Sequence, residues 1–153
     1  MAEKVDVAVI GAGPAGLAAA IAAREQGAER VVIIERSERL GGLLPQCIHN
    51  GFGLLYFGED MTGPEYERVF IRRAEKAGVE TRLETMVLGL GAGREITAAS
   101  SRHGYMKFKA GAVVLAMGCR ERARGALGIP GGRPSGILTA GTCQRYVNIE
   151  GFI

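Results

Sequence analysis

The sequence predicts an α/β fold: a parallel β-sheet wound with helices, followed by an antiparallel β-meander. Three observations predict it. An apolar run, Val5 to Ile10, breaks at Gly11-Ala12-Gly13-Pro14-Ala15-Gly16 and passes into an alanine-rich stretch of helical character. A second β-branched run, Val31 to Ile34, follows at the distance that one helix and one turn require. Further on, alternating segments separated by glycine-bearing turns read as the meander. Strand, helix and strand in succession imply a crossover, and a crossover makes the two strands parallel.

The elements follow in order. The first strand is placed at about 5–10, the first helix at 14–26 and the second strand at 31–35. Leu17, Ala20, Ile21 and Arg24 share one helical face, with Arg24 at its edge, and Gly27 ends the helix. Residues 40–60 form a long glycine-rich loop whose Leu43, Leu44, Ile48, Phe52, Leu54, Leu55, Tyr56 and Phe57 are too apolar for disorder. It is expected to pack over a ligand or a partner domain. Thr62-Gly63-Pro64-Glu65 is a capping box that starts a helix running to about Lys76, with Tyr66, Val69, Phe70 and Arg73 at helical spacing and Gly78 beyond its end. Val79–Leu83 is a third strand. The meander occupies about 84–110, with segments Thr85–Leu90, Arg94–Ala99 and Tyr105–Lys109. Val113–Ala116 then returns as a buried parallel strand, and residues 125–134 are a breaker-rich crossover.

A strand that turns into a helix through G-x-G-x-x-G is a Rossmann-like arrangement suited to a pyrophosphate. Gly11 permits the tight turn, Gly13 has no side chain to hold phosphates off the backbone, and Gly16 with Ala20 lets the helix lie close to the sheet. Pro14 and Ala15 lie in the first helical turn, whose free N–H groups and partial positive charge favour an anion. Glu35 ends the second strand, nineteen residues after Gly16, where a carboxylate accepts hydrogen bonds from an adenosine ribose. It repels a 2′-phosphate, which argues against NADP. Arg36 adjoins it.

Arg39-Leu40-Gly41-Gly42 follows directly, and Val113-Val114-Leu115-Ala116-Met117-Gly118 closes the sheet downstream. With the first fingerprint, these segments resemble the two-dinucleotide-domain flavoproteins of the glutathione-reductase type, the pyridine-nucleotide-dependent flavoprotein oxidoreductases. Leu44–Gly53 and Leu138-Thr139-Ala140-Gly141 resemble the subgroup near the sarcosine-oxidase alpha chains and hydrogen-cyanide-synthase-like proteins. The resemblance implies FAD as cofactor, with Gly41, Gly42 and Leu43 lining its site. Ala116, Met117 and Gly118 would pass the flavin nucleotide, Met117 standing where the family has threonine. Backbone at Met86 and Val87 would touch the adenine, and the meander would cover one sheet face. It also implies that 1–124 is the N-terminal segment of an FAD-binding domain, and that 125–153 leads toward an NAD(P)H-binding domain absent from this chain. The expected partners are the remaining enzyme domains or a partner subunit, together with a small-molecule substrate. The strand near Val113 would then be an open apolar edge, so self-association into a homo-oligomer, or partner chains that complete the sheet, is expected.

Composition excludes other classes. The chain has 153 residues, one domain's worth, and a formal net charge of +3 spread along the sequence, which is no footprint for nucleic acid. Glycine occupies 24 positions, about twice the usual share. The first apolar run is too short to span a membrane and resembles no signal peptide, so a cytoplasmic location is expected. Cys47, Cys119 and Cys143 form no C-x-x-C, so neither a zinc clip nor a local redox pair is encoded, and no metal is expected. The disulfide-reducing members of the family this chain resembles carry a cysteine pair just after the glycine doublet; here only Cys47 lies there, so reduction through a pair at that place is excluded, while a pair in an absent domain stays open. Cys47 and His49 have a flavin-side reading and a plainer one, as loop packing and a backbone hydrogen bond, and the plainer one is preferred. Arg120 to Arg124 reads as a solvated charge run and His103 as a turn residue. No catalytic side chain is identified. An NAD-binding enzyme domain and a non-catalytic nucleotide-binding module stand as alternatives.

Overall fold

The computed structural model describes residues 1–132 and 134–152. The chain runs β1 (Glu3–Ile10), α1 (Pro14–Glu25), β2 (Val31–Ile34), a short 3-10 turn (Leu44–Gln46), α2 (Leu54–Phe57) and α3 (Gly63–Lys76). It continues through β3 (Glu80–Arg82), β4 (Thr85–Leu90), β5 (Glu95–Ser100), β6 (Gly104–Leu115), α4 (Arg124–Leu127) and α5 (Ala140–Asn148). All six strands form one sheet in the order β3-β2-β1-β6-β5-β4. β3, β2, β1 and the second half of β6 are parallel, whereas β4, β5 and the first half of β6 are antiparallel.

Where the sequence predicts two strands, Tyr105–Lys109 and Val113–Ala116, the structure has one strand of twelve residues. Ala110-Gly111-Ala112, left between the two expected strands, is a close approach within one strand. A Cβ on Gly111 would lie 2.7 Å from the Asp6 carbonyl oxygen of β1. The missing side chain lets β6 pass against β1 without interruption. β5 stops pairing at Lys109, while Gly111–Leu115 pairs with β1 on one side. Among the described residues no strand pairs with the other side.

Successive residues of β1 and β2 face opposite ways and build two cores. Val9, Val31 and Ile33 meet Leu17, Ala20 and Ile21 of α1 and Phe70 and Ala74 of α3. Ala8, Ile10, Val32 and Ile34 meet Ile96, Ala98 and Phe108, so the meander curls back over the face that the helices leave open. Both faces are covered, as a parallel sheet requires. The Arg24 guanidinium lies at the edge of α1 and donates to the carbonyls of Ala77 and Ala28 at 2.8 and 2.7 Å.

The capping box of α3 forms as its spacing predicts. The Thr62 hydroxyl accepts from the Glu65 N–H, and the Glu65 carboxylate accepts from the Thr62 N–H at 2.8 Å. That backbone bond holds the Glu65 carboxyl below the usual range. The 40–60 stretch is not all loop, since it carries the 3-10 turn and the short α2, and its aromatic half packs on α3. Phe57 lies 5.7 Å from Tyr66 and 5.9 Å from Phe70, centroid to centroid, with the Arg73 guanidinium 4.9 Å from its ring. Leu43, Ile48, Leu54 and Leu55 of the same segment stay exposed. α5 has no counterpart in the sequence reading. Its start accepts a remote partner, because Gly141 N–H donates to the Glu121 carboxylate at 2.9 Å, and its end is tied when Asn148 Nδ2 donates to the Gln46 carbonyl at 2.7 Å.

Four charged residues join the N-terminal ends of the parallel strands. Arg30 bonds both Glu3 and Glu80, the latter at 2.8 Å, and Arg82 reaches Glu3 at 2.9 Å and Glu80 at 3.2 Å. The Arg30 hydrogen bond holds the Glu80 carboxyl below the usual range. A depressed carboxyl stabilises the fold above its unfolded pKa, and that contribution is lost as pH falls through the folded value. The pair is partly exposed, so its worth is small. Glu80→Gln is expected to lower stability by less than about 1 kcal/mol near neutrality. In denaturant titrations the difference should fade as pH drops below about 4.

Candidate dinucleotide-binding site

The C-terminal ends of β1, β2 and β6 lie side by side, since Ile10 pairs with Ile34 and with Leu115. Each strand leads into a glycine-bearing segment, and the three segments touch. Gly11 has φ +102°, and a Cβ there would lie 2.4 Å from the Ala116 carbonyl oxygen and 3.2 Å from Met117 Cα. A Cβ on Gly16 would lie 1.9 Å from the Gly11 carbonyl oxygen and 3.3 Å from Ala116 Cβ. A Cβ on Gly42 would lie 2.9 Å from Gly13 Cα. Gly41 N–H donates to the Ala12 carbonyl at 2.8 Å. Segments more than a hundred residues apart in sequence thus close into one cradle, and the sequence singles out all three.

Gly13 differs from its neighbours. A Cβ there would meet nothing closer than Gly42 Cα at 4.0 Å, and its backbone is extended at φ −69°, ψ −179°. The protein therefore leaves room for a side chain at Gly13, and the space in front of it is free for a ligand. Gly13 is also the N-cap of α1, whose first turn has no side-chain cap. The N–H groups of that turn, with the helix dipole behind them, face the same space. Pro14 and Ala15 are exposed there.

Glu35 is buried, and both of its carboxylate oxygens are engaged by backbone. Oε2 accepts from Ala12 N–H and Oε1 from Ser37 N–H, each at 2.8 Å. Its own N–H donates to the Arg82 carbonyl, and its carbonyl accepts from Thr85 N–H at 2.9 Å. Each carboxylate oxygen has a second lone pair for a hydroxyl donor. The same bonds set the start of β4 beside Glu35. There Met86 is exposed, and Val87 packs its side chain against the meander core. Arg36 and Leu43 are exposed beside the cradle. Ala116 is half-buried and Met117 exposed. Gly118 has φ +66° with open space around it, so local backbone conformation, rather than a close protein neighbour, favours glycine.

Two participants escape sequence reasoning. Ala12 acts through its backbone N–H, which any residue type supplies. Glu67, on α3, packs against Gly41, where a Cβ would lie 2.2 Å from its Cδ. Burial pushes the Glu67 carboxyl up, against the opposing pull of Arg39 and Arg68. Helical spacing does not mark it, since it stands beside the Tyr66 and Phe70 face rather than on it.

The plainer candidates behave locally. The Cys47 thiol donates to the Leu43 carbonyl at 3.3 Å. His49 Nδ1 lies 2.9 Å from the Asn50 carbonyl oxygen, with its ring 5.3 Å from Phe52. Arg124 donates to the carbonyls of Pro130, at 2.6 Å, and Gly132. Among the described residues, no three His, Cys, Asp or Glu side chains group to hold a metal ion. Nor is any described helix long and apolar enough to cross a membrane.

A family model described as pyridine nucleotide-disulphide oxidoreductase matches residues 5–150. The opine oxidase A subunit of Agrobacterium tumefaciens (strain Ach5) is 32% identical over 157 residues, covering 99% of this chain and 30% of that protein. Hydrogen cyanide synthase subunit HcnB of Pseudomonas protegens is 28% identical over 145 residues, covering 91% of this chain and 29% of that protein. Among solved structures, L-proline dehydrogenase from P. horikoshii superposes with TM-score 0.76 at 23% identity, covering 99% of this chain and 30% of that one. Thioredoxin reductase from Streptococcus pyogenes MGAS5005 gives 0.64 at 26% identity, covering 82% and 39% respectively. The chain thus spans less than a third of the length of these curated relatives.

Proposed function

Since the chain belongs to the pyridine nucleotide-disulphide oxidoreductase family, we propose that it is the FAD-binding portion of an oxidoreductase. The observation that carries this reading is the cradle itself. Gly11, Gly16 and Gly42 are required by protein neighbours, whereas Gly13 faces open space at a helix N-terminus. That is the steric and electrostatic shape a diphosphate fits. Glu35, fixed by two backbone donors, is set to accept from the adenosine ribose. In the same reading, Gly41, Gly42 and Leu43 line the dinucleotide, and backbone at Met86 and Val87 borders the adenine. Ala116, Met117 and Gly118 let the cofactor pass the end of β6.

Bound flavin supplies hydride and electron transfer, and this chain's residues hold and orient it. The α1 N-terminus offsets the diphosphate charge, and Glu35 keeps the ribose in register with the sheet. No second G-x-G-x-x-G occurs in the 153 residues. The proposal therefore assigns NAD(P)H to a domain outside this chain, with 125–153 as the crossover toward it. Two relatives are named as subunits. With the open side of Gly111–Leu115, this supports a partner subunit or further domains at that edge, and the reading includes a small-molecule substrate for the assembled enzyme.

The test is a titration of the purified chain with FAD, NAD and NADP. FAD is expected to bind and to shift its visible absorption band, with NADP rejected by Glu35. Binding of NAD without FAD would instead favour a simple NAD domain, and binding of neither a non-catalytic module. Steady NADH-dependent dye reduction by these residues alone would overturn the assignment of NAD(P)H to another domain.

A further inference from the structure

We propose that Glu67 is a positioning residue for the glycine-pair arm of the dinucleotide site, and that its carboxylate makes FAD affinity depend on pH. The proposal rests on the FAD reading above. Glu67 lies directly against Gly41: a Cβ on that glycine would sit 2.2 Å from Cδ and 2.3 Å from Oε1 of Glu67. Gly41 is joined to Ala12 through its N–H, and Gly42 rests on Gly13. One side chain of α3 therefore backs the two-residue arm that closes on the diphosphate seat. α3 is a firm base, anchored by its capping box and by buried Phe70 and Ala74.

Glu67 is half-buried. The charged groups acting on its carboxylate are Arg39 from the glycine-pair segment and Arg68 from α3. Both favour its ionised form, yet burial outweighs them and raises its pKa. A diphosphate bound on the far side of the arm adds negative charge, which opposes ionisation further. FAD binding should then be accompanied by proton uptake at Glu67, and by reciprocity the protonated protein binds FAD more tightly. The sign follows: affinity is highest at pH below the free carboxyl's pKa, and it falls as pH rises from there to the pKa of the loaded state.

FAD dissociation constants measured by flavin fluorescence, from about pH 5 to about pH 9, test this. A shift of one pKa unit on binding corresponds to about a tenfold loss of affinity across the titration. Glu67→Gln is expected to keep the low-pH affinity at every pH. Glu67→Ala, which removes the support under Gly41, is expected to bind more weakly throughout. Proton uptake by the parent chain, read calorimetrically in two buffers of different ionisation heat, tests the same coupling without a substitution. A pH profile in Glu67→Gln that matches the parent, or FAD binding without proton uptake, would overturn the inference alone. No FAD binding at any pH would overturn the flavin reading and this inference with it.

Discussion

Gly13→Ala is expected to weaken FAD binding about a hundredfold while leaving the apo fold within about 1 kcal/mol of the parent. The fold tolerates it because a methyl at Gly13 meets protein no closer than 4.0 Å, and the backbone there is extended. The residual cost is the poorer N-cap that alanine makes. In the proposed site, binding suffers because the methyl would stand between the diphosphate and the N–H groups of the α1 first turn. Losing one or two charge-assisted hydrogen bonds, at about 1.5–3 kcal/mol each, accounts for the hundredfold change. The control is Gly16→Ala, in the same turn. Its Cβ would lie 1.9 Å from the Gly11 carbonyl oxygen. α1 must then move away from β1, at a cost of about 3 kcal/mol or more. Thermal unfolding of both apo proteins, beside flavin titration of both, separates the two roles. Equal destabilisation by the two substitutions would refute the assignment of Gly13 to the ligand.

Glu35→Ala is expected to lower apo stability by about 2–3 kcal/mol and FAD affinity by about tenfold or more. The carboxylate joins the first glycine turn, the end of β2 and the segment after it through Ala12 and Ser37. Removing it strands the Ala12 N–H, which is fully buried, whereas the Ser37 N–H is exposed and can turn to water. The stability loss therefore comes mainly from one orphaned donor, and the affinity loss from the missing ribose acceptor. Glu35→Gln keeps one acceptor oxygen but points an amide N–H₂ at a backbone donor, so it should recover only part of either quantity. An apo midpoint unchanged in Glu35→Ala would show that Glu35 serves the ligand and not the cradle.

Much of this was legible in the sequence because the determinants were local. The turn at Gly11–Gly16, the β-branched run at Val31–Ile34 and the capping box at Thr62–Glu65 each specify a conformation within a few residues. The departures arise where distant segments decide. The two strands expected at Tyr105–Lys109 and Val113–Ala116 are one, because Gly111 has no side chain to hold β6 away from Asp6 of β1. The apolar 40–60 segment signals burial without naming its partner, and α3 supplies the surface for its aromatic half. α5 carries a weak local signal, and its first turn is completed by Glu121, twenty residues earlier.

The sequence by itself determined the parallel α/β class, the fingerprint turn, the acidic strand end and the three glycine-bearing segments, because residue type and spacing govern backbone conformation directly. The tertiary structure decided which glycines are required by protein neighbours and which faces open space. It also decided that Glu35 is held by Ala12 and Ser37 and that Glu67 backs Gly41. These are distances between segments that meet only when the sheet aligns the ends of its strands, and steric demand, burial and charge all act through such distances.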